Sequence, residues 1–162
     1  MSSKTTDSVQ ELITKFESLS QEMQTFVQDC APAEWGKITT GEQWPIGVAA
    51  RHIAGGHWGL IGLIKLIVDG EPLPELTFDA VHQGNAQHAA DYADCTKAEV
   101  LELLQTNAAA AISYLQERNE EEMARTAYLN LFDSEVSASG LFTAFFIDSA
   151  QAHLQSMKDA IA

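Results

Sequence analysis

Apolar side chains recur along this chain in steps of three and four, and that spacing constrains its fold more than any other feature. Val9, Leu12, Ile13, Phe16, Leu19, Met23, Phe26 and Val27 form one such stripe, and residues so spaced share a face on an α-helix. The pattern predicts an amphipathic helix over about 6–29, ended by Pro32 and Gly36, then a loop over 30–43 with turn chemistry from Thr39, Thr40 and Gly41. Trp44-Pro45 opens a second helix, since proline suits the first helical turn. It runs to about Val68, where Asp69-Gly70 and then Pro72 and Pro74 close it. A weaker, more polar helix is expected over about 77–92, carrying His82, Asn85 and His88. Thr96-Lys-Ala-Glu99 is a capping box, and Val100, Leu103, Leu104, Ala108, Ala111 and Leu115 follow at helical spacing. That gives a third long helix, to about 117. The charged run from Glu117 to Glu122 reads as a solvated helix end or loop. A fourth long helix covers about 139–160, with Leu141, Phe145, Ala152 and Met157 among its apolar positions.

No segment shows sustained β alternation, and no repeat is present. The expected fold is therefore all-α: one domain over 1–162, a four-helix bundle with a long crossover at 69–95 that contains an extra short helix.

Charge narrows the partners. Nine Lys+Arg against 23 Asp+Glu give a net charge of −14, which offers no clustered cations to a nucleic-acid backbone. It equally disfavours docking on anionic lipid. The most apolar run, Ile53 to Val68, carries His57 and Lys65 and falls short of the roughly 20 residues of a membrane span. The opening MSSKTTDSVQ has no apolar h-region. Cys30 and Cys95 stand far apart in no C-x-x-C, so they form neither a disulfide framework nor a thiolate metal site. The expectation is a cytoplasmic protein with no nucleic-acid and no membrane partner.

The chain contains no phosphate-binding G-x-x-x-x-G-K-[ST], no H-E-x-x-H and no G-x-S-x-G. Chemistry then falls to five histidines: His52, His57, His82, His88 and His153. At about 100° per residue His52 and His57 lie about 140° apart around the helix, so both cannot face one small site. Gly55, Gly59 and Gly62 share the face of His52. Each costs a helix about 1 kcal/mol relative to alanine, so they mark either close approach of a neighbouring helix or room for a ligand. Ser149 and His153, four apart, project from one face of the last helix.

The segment Trp44-Pro-Ile-Gly-Val-Ala-Ala-Arg-His52-Ile-Ala-Gly-Gly-His57 resembles the start of the second helix in the DinB-like superfamily. That group includes YfiT-like proteins and mycothiol-dependent maleylpyruvate isomerases. Its pattern sets a metal-ligand histidine eight residues after a tryptophan, as His52 follows Trp44. The end, Phe146-Ile-Asp-Ser149-Ala-Gln-Ala-His153-Leu-Gln-Ser-Met, is similar to the family's last helix, where two histidines four apart complete a three-histidine site. His153 matches the second of these, and Ser149 occupies the position of the first.

The resemblance implies a homodimeric bundle with a divalent metal, zinc or nickel, on His52 and His153, and a small-molecule substrate. It implies a metal-dependent hydrolase or a thiol-dependent transferase or isomerase with an altered His-Ser-His site. Serine is a poor ligand beside imidazole for such metals. Hence the alternative: a non-catalytic small-molecule-binding or structural protein that has lost its metal. A third ligand could come from His57 or His88, if a local helix distortion or the crossover brought it in.

Overall fold

The computed structural model describes residues 7–162. Helix α1 (Val9–Asp29) begins where the Ser8 hydroxyl accepts from the Glu11 amide, the usual way of satisfying a first-turn N–H. The expected start near residue 6 falls outside the described residues. The predicted stripe is the buried face: Leu12, Phe16, Met23 and Val27 are all but inaccessible to solvent. The segment expected as plain loop contains a short helix, α2 (Pro32–Trp35).

The second rod is continuous from 46 to 68 but not uniform. It runs as α3 (Ile46–Arg51), a π-helical turn over His52–His57, a 3-10 turn over Trp58–Leu60, and α4 (Ile61–Val68). It ends in a Schellman closure, with Glu71 N–H donating to the Leu66 carbonyl and Gly70 N–H to that of Ile67. Gly70 takes the left-handed φ of 74° that this closure demands. The crossover carries its own helix, α5 (Phe78–Asp91), and the capping box then starts α6 (Lys97–Gln116).

Glu117 to Glu122 is more than a solvated end. It forms α7 (Glu120–Met123), and the Glu120 carboxylate accepts from the Val9 amide at 3.0 Å. Next comes a two-stranded antiparallel hairpin, β1 (Thr126–Leu129) and β2 (Ser134–Ser137), joined through a 3-10 turn over Asn130–Phe132. This adds a small two-stranded sheet to the expected all-α bundle. Each strand is four residues long, too short for a period-2 pattern to stand out. The last rod is again composite: α8 (Ala138–Phe142), a second π turn over Thr143–Asp148, and α9 (Ser149–Ile161).

The four rods enclose one core, with an aromatic knot at its centre. Phe16 meets Trp58, Phe142 and Phe146 edge-on at 5.0, 5.3 and 5.9 Å, and Phe142 stacks on Phe146 at 4.4 Å. Edge-to-face and offset contacts of this kind add to burial about 0.5–1.5 kcal/mol each. Side chains from outside each π turn also tie it down. Wide turns pull carbonyls off the regular helical ladder, and here neighbouring side chains take them. Asn107 on α6 donates to the Ala54 carbonyl at 2.7 Å, and the Trp58 indole donates to the Phe146 carbonyl at 3.1 Å. Both cysteines are free, and no helix among the described residues is long and apolar enough to cross a membrane.

Candidate metal centre

Three imidazoles converge where the first π turn lies against α9. His52 and His153 are 5.3 Å apart by ring centroids, His52 and His57 4.7 Å, and His57 and His153 5.1 Å. One nitrogen from each ring falls in a group whose members lie within 4.8 Å of one another. The expectation that His52 and His57 diverge is overturned, because the figure of about 140° holds only for uniform α geometry. A π turn bonds i to i+5, so residues five apart stack one above the other.

Glycine makes the turn possible. A Cβ on Gly56 would stand 2.7 Å from Nδ1 of His52, and one on Gly55 would collide with the Arg51 guanidinium. Gly59 faces Asn107 of α6, which supports close helix approach, whereas Gly62 faces open space. The glycine that gives His52 its room is thus Gly56, outside the set that helical arithmetic selected.

Electrostatics disfavour the charged form of two of the three rings. Burial, reinforced by the neighbouring histidines, lowers His52 from its ordinary 6.5 to about 3. Burial and His153 lower His57 to about 4, opposed weakly by the Phe145 carbonyl. Both ring nitrogens of His57 are buried, and neither has a well-formed hydrogen bond to a partner among the described residues. Buried unpaired polar atoms cost about 1–3 kcal/mol each, so an orphaned imidazole among imidazoles fits a cation better than it fits a core.

Sequence reasoning missed Glu42. The loop after α2 delivers it through Gln43, which adopts a left-handed φ of 61°, an uncommon conformation for a non-glycine residue. The Glu42 carboxylate lies 2.6 Å from Nδ1 of His153 and accepts from Ser156 Oγ at 2.9 Å. Burial alone would raise the Glu42 carboxyl, but hydrogen bonds with Thr39, His153 and Ser156 outweigh it and hold the group below its ordinary value. An ionised carboxylate only accepts. Nδ1 of His153 therefore donates to Glu42, which leaves Nε2 as the ring nitrogen available to the cluster. This carboxylate–imidazole arrangement commonly orients metal-binding histidines. No spacing in the sequence announces it.

The remaining candidates sort cleanly. Ser149 begins α9 half-buried, one turn before His153, but the third imidazole at the cluster is that of His57. His88 on α5 lies 5.5 Å from His52, 6.4 Å from Trp44 and 4.8 Å from Tyr92, with both nitrogens buried and unpartnered among the described residues. Burial, then the Arg51 charge, lowers its pKa. His88 stands beside the group of three and outside it. His82 is exposed on α5. Trp44 packs edge-on against His52 at 5.1 Å.

Among curated proteins none matches this sequence, but solved structures share its fold. YfiT from Bacillus subtilis, described as a "probable metal-dependent hydrolase with an unusual four-helix bundle topology", superposes with a TM-score of 0.78 at 14% identity, over 99% of this chain and 89% of that one. The mycothiol-dependent maleylpyruvate isomerase gives 0.65 at 15% identity over 94% of this chain, which spans only 59% of the isomerase. The colibactin self-resistance protein ClbS, solved in complex with double-stranded DNA, gives 0.69 at 13% identity, over 96% of this chain and 98% of that one. At such identities the likeness concerns the fold. The sequence itself carries the assignment: residues 15–156 match the model of the DinB superfamily, and the chain belongs to that superfamily.

Proposed function

We propose that His52, His57 and His153 hold a divalent cation, zinc or nickel, and that the protein is a metal-dependent hydrolase or thiol-dependent transferase acting on a small molecule. One observation carries the reading: three imidazoles converge in a partly buried site, and both buried nitrogens of His57 are left there without a well-formed hydrogen bond to any of the described residues. The donor set suits a borderline metal, since three histidines are a common protein complement of catalytic zinc. The set departs from the His-Ser-His expectation, with His57 standing in for Ser149. When bound, such a metal polarises a substrate oxygen or lowers the pKa of water or a thiol. The chain's own part is to disfavour protons on His52 and His57 by burial, to orient His153 through Glu42 and to pack Trp44 against His52.

Metal analysis of protein purified without a histidine tag, followed by chelator-competition titration, tests this. His57→Ala should abolish tight binding, while Ser149→Ala should leave it within a few fold. If His57→Ala binds as wild type does and Ser149→Ala does not, the ligand assignment is wrong. If no variant and no wild type binds metal, the non-catalytic alternative takes its place.

A further inference from the structure

A cavity of about 400 Å³ opens beside the histidines, within the roughly 300–1,000 Å³ typical of small-molecule sites. His52 and His57 form one wall. Leu60, Leu63, Leu76, Val81, Leu131 and Phe145 supply most of the rest. Among the described residues Asn85 is the one other polar side chain that lines it, and no charged residue does. The roof is built by the two features that lie outside the four rods: α5 of the crossover, and the 3-10 turn of the hairpin. Asn130 ties the hairpin turn to the crossover just ahead of α5, its Oδ1 accepting from Leu76 N–H at 2.7 Å and its Nδ2 donating to the Leu76 carbonyl.

From this lining we infer that the substrate is an uncharged, mainly apolar small molecule, whose single polar head meets the His52/His57 wall while its hydrocarbon body fills the cavity under α5 and the hairpin turn. Placing the head rests on the metal reading above; placing the body does not. A charged or heavily hydroxylated ligand would have to surrender its hydration to leucine, valine and phenylalanine side chains, with one amide to compensate. A thiol on a hydrophilic scaffold is therefore a poor occupant. An apolar chain gains about 0.8 kcal/mol, or about fourfold in affinity, per buried methylene.

The experiment is calorimetric titration of zinc-loaded protein with butano-, hexano- and octanohydroxamic acids, alongside the n-alkanols of the same lengths on chelator-treated protein. Affinity should climb about fourfold per methylene until the cavity is full. Two variants move that limit in opposite directions. Gly84 lines the cavity, and a Cβ there meets nothing within 4 Å, so Gly84→Phe occupies the space without straining the helix and should flatten the climb. Leu131→Ala enlarges the same space and should extend it to longer chains.

Chain-length-independent binding in the wild type would overturn the proposal, as would a climb that both variants leave unchanged. Glutathione binding more tightly than octanethiol would overturn it too. If the protein takes up no zinc but the alkanol series still climbs and Gly84→Phe flattens it, the cavity assignment stands and the metal reading fails. If zinc binds tightly but the series is flat, the metal reading stands and the cavity assignment fails.

Discussion

Gly56→Ala separates fold from site. In the present backbone the new Cβ would stand 2.7 Å from Nδ1 and 3.0 Å from Cε1 of His52. The imidazole must retreat by about 0.7 Å to reach the 3.4 Å of ordinary contact. A metal centre tolerates about 0.2 Å in its ligand distances, so the shift is several times what ligation can absorb. The expected loss in zinc affinity is at least about tenfold, or about 1.4 kcal/mol. The fold itself should not suffer comparably. Alanine is worth about 1 kcal/mol more than glycine in a helix interior, and what gives way is a side-chain ring, not backbone. Apoprotein stability should change by no more than about 1 kcal/mol either way. Chelator competition reads the affinity, and urea unfolding of chelator-treated protein reads the stability. Gly62→Ala is the control, because its Cβ meets nothing within 4 Å: it should gain stability and keep its zinc affinity. Wild-type zinc affinity in Gly56→Ala would refute the steric reasoning, and so would a parallel collapse of stability and binding.

Glu42→Gln keeps the shape of the side chain but removes the charge that orients His153; zinc affinity should fall about 10- to 100-fold by the same competition assay. Asn107→Leu leaves the Ala54 carbonyl of the first π turn without its side-chain donor, and urea unfolding should report about 1–3 kcal/mol of lost stability. The apoprotein should also weaken as pH falls below about 6.5. His52 and His57 titrate near 3 and 4 in the folded chain, so the unfolded chain takes up protons first and stability falls with pH across that window. The slope approaches about 1.4 kcal/mol per pH unit for each histidine. Unfolding measured between about pH 7.5 and 5 lies above the ordinary carboxylate range, where Glu42 does not titrate, and a flat profile there would contradict the burial of the two rings.

The long rods were legible because each buries a stripe that only helical spacing produces: Phe16 and Met23 on α1, Leu104 and Ala111 on α6. The caps were legible as well, since Thr96 and Glu99 bond each other's backbone within four residues. What escaped notice depends on contacts across the fold. Glu42 reaches His153 over 111 positions of sequence, and nothing local to either residue encodes the pairing. The hairpin's strands, at four residues each, are too short for a period-2 alternation to stand out. The convergence of His52 and His57 was hidden by the assumption of a uniform helix, although the Gly55-Gly56 pair between them signalled a departure. Sequence placed His52 and His153 at one end of the bundle by resemblance; the third imidazole needed the observed turn.

That turn has a consequence for how the gene can change. A π turn holds one residue more than the α turn it replaces, so it amounts to an insertion absorbed inside a helix. Losing a codon from a buried helix ordinarily rotates everything downstream by about 100° and exposes its core face. Between His52 and His57 the outcome differs. Removing Gly55 would leave the two histidines four apart in ordinary α geometry, still on one face, with Trp58 and the apolar positions beyond it in their present register. The rod from 46 to 68 thus carries a site where a single-residue deletion is conservative, and homologues with H-x-x-x-H in place of this chain's H-x-x-x-x-H would present the same pair of rings.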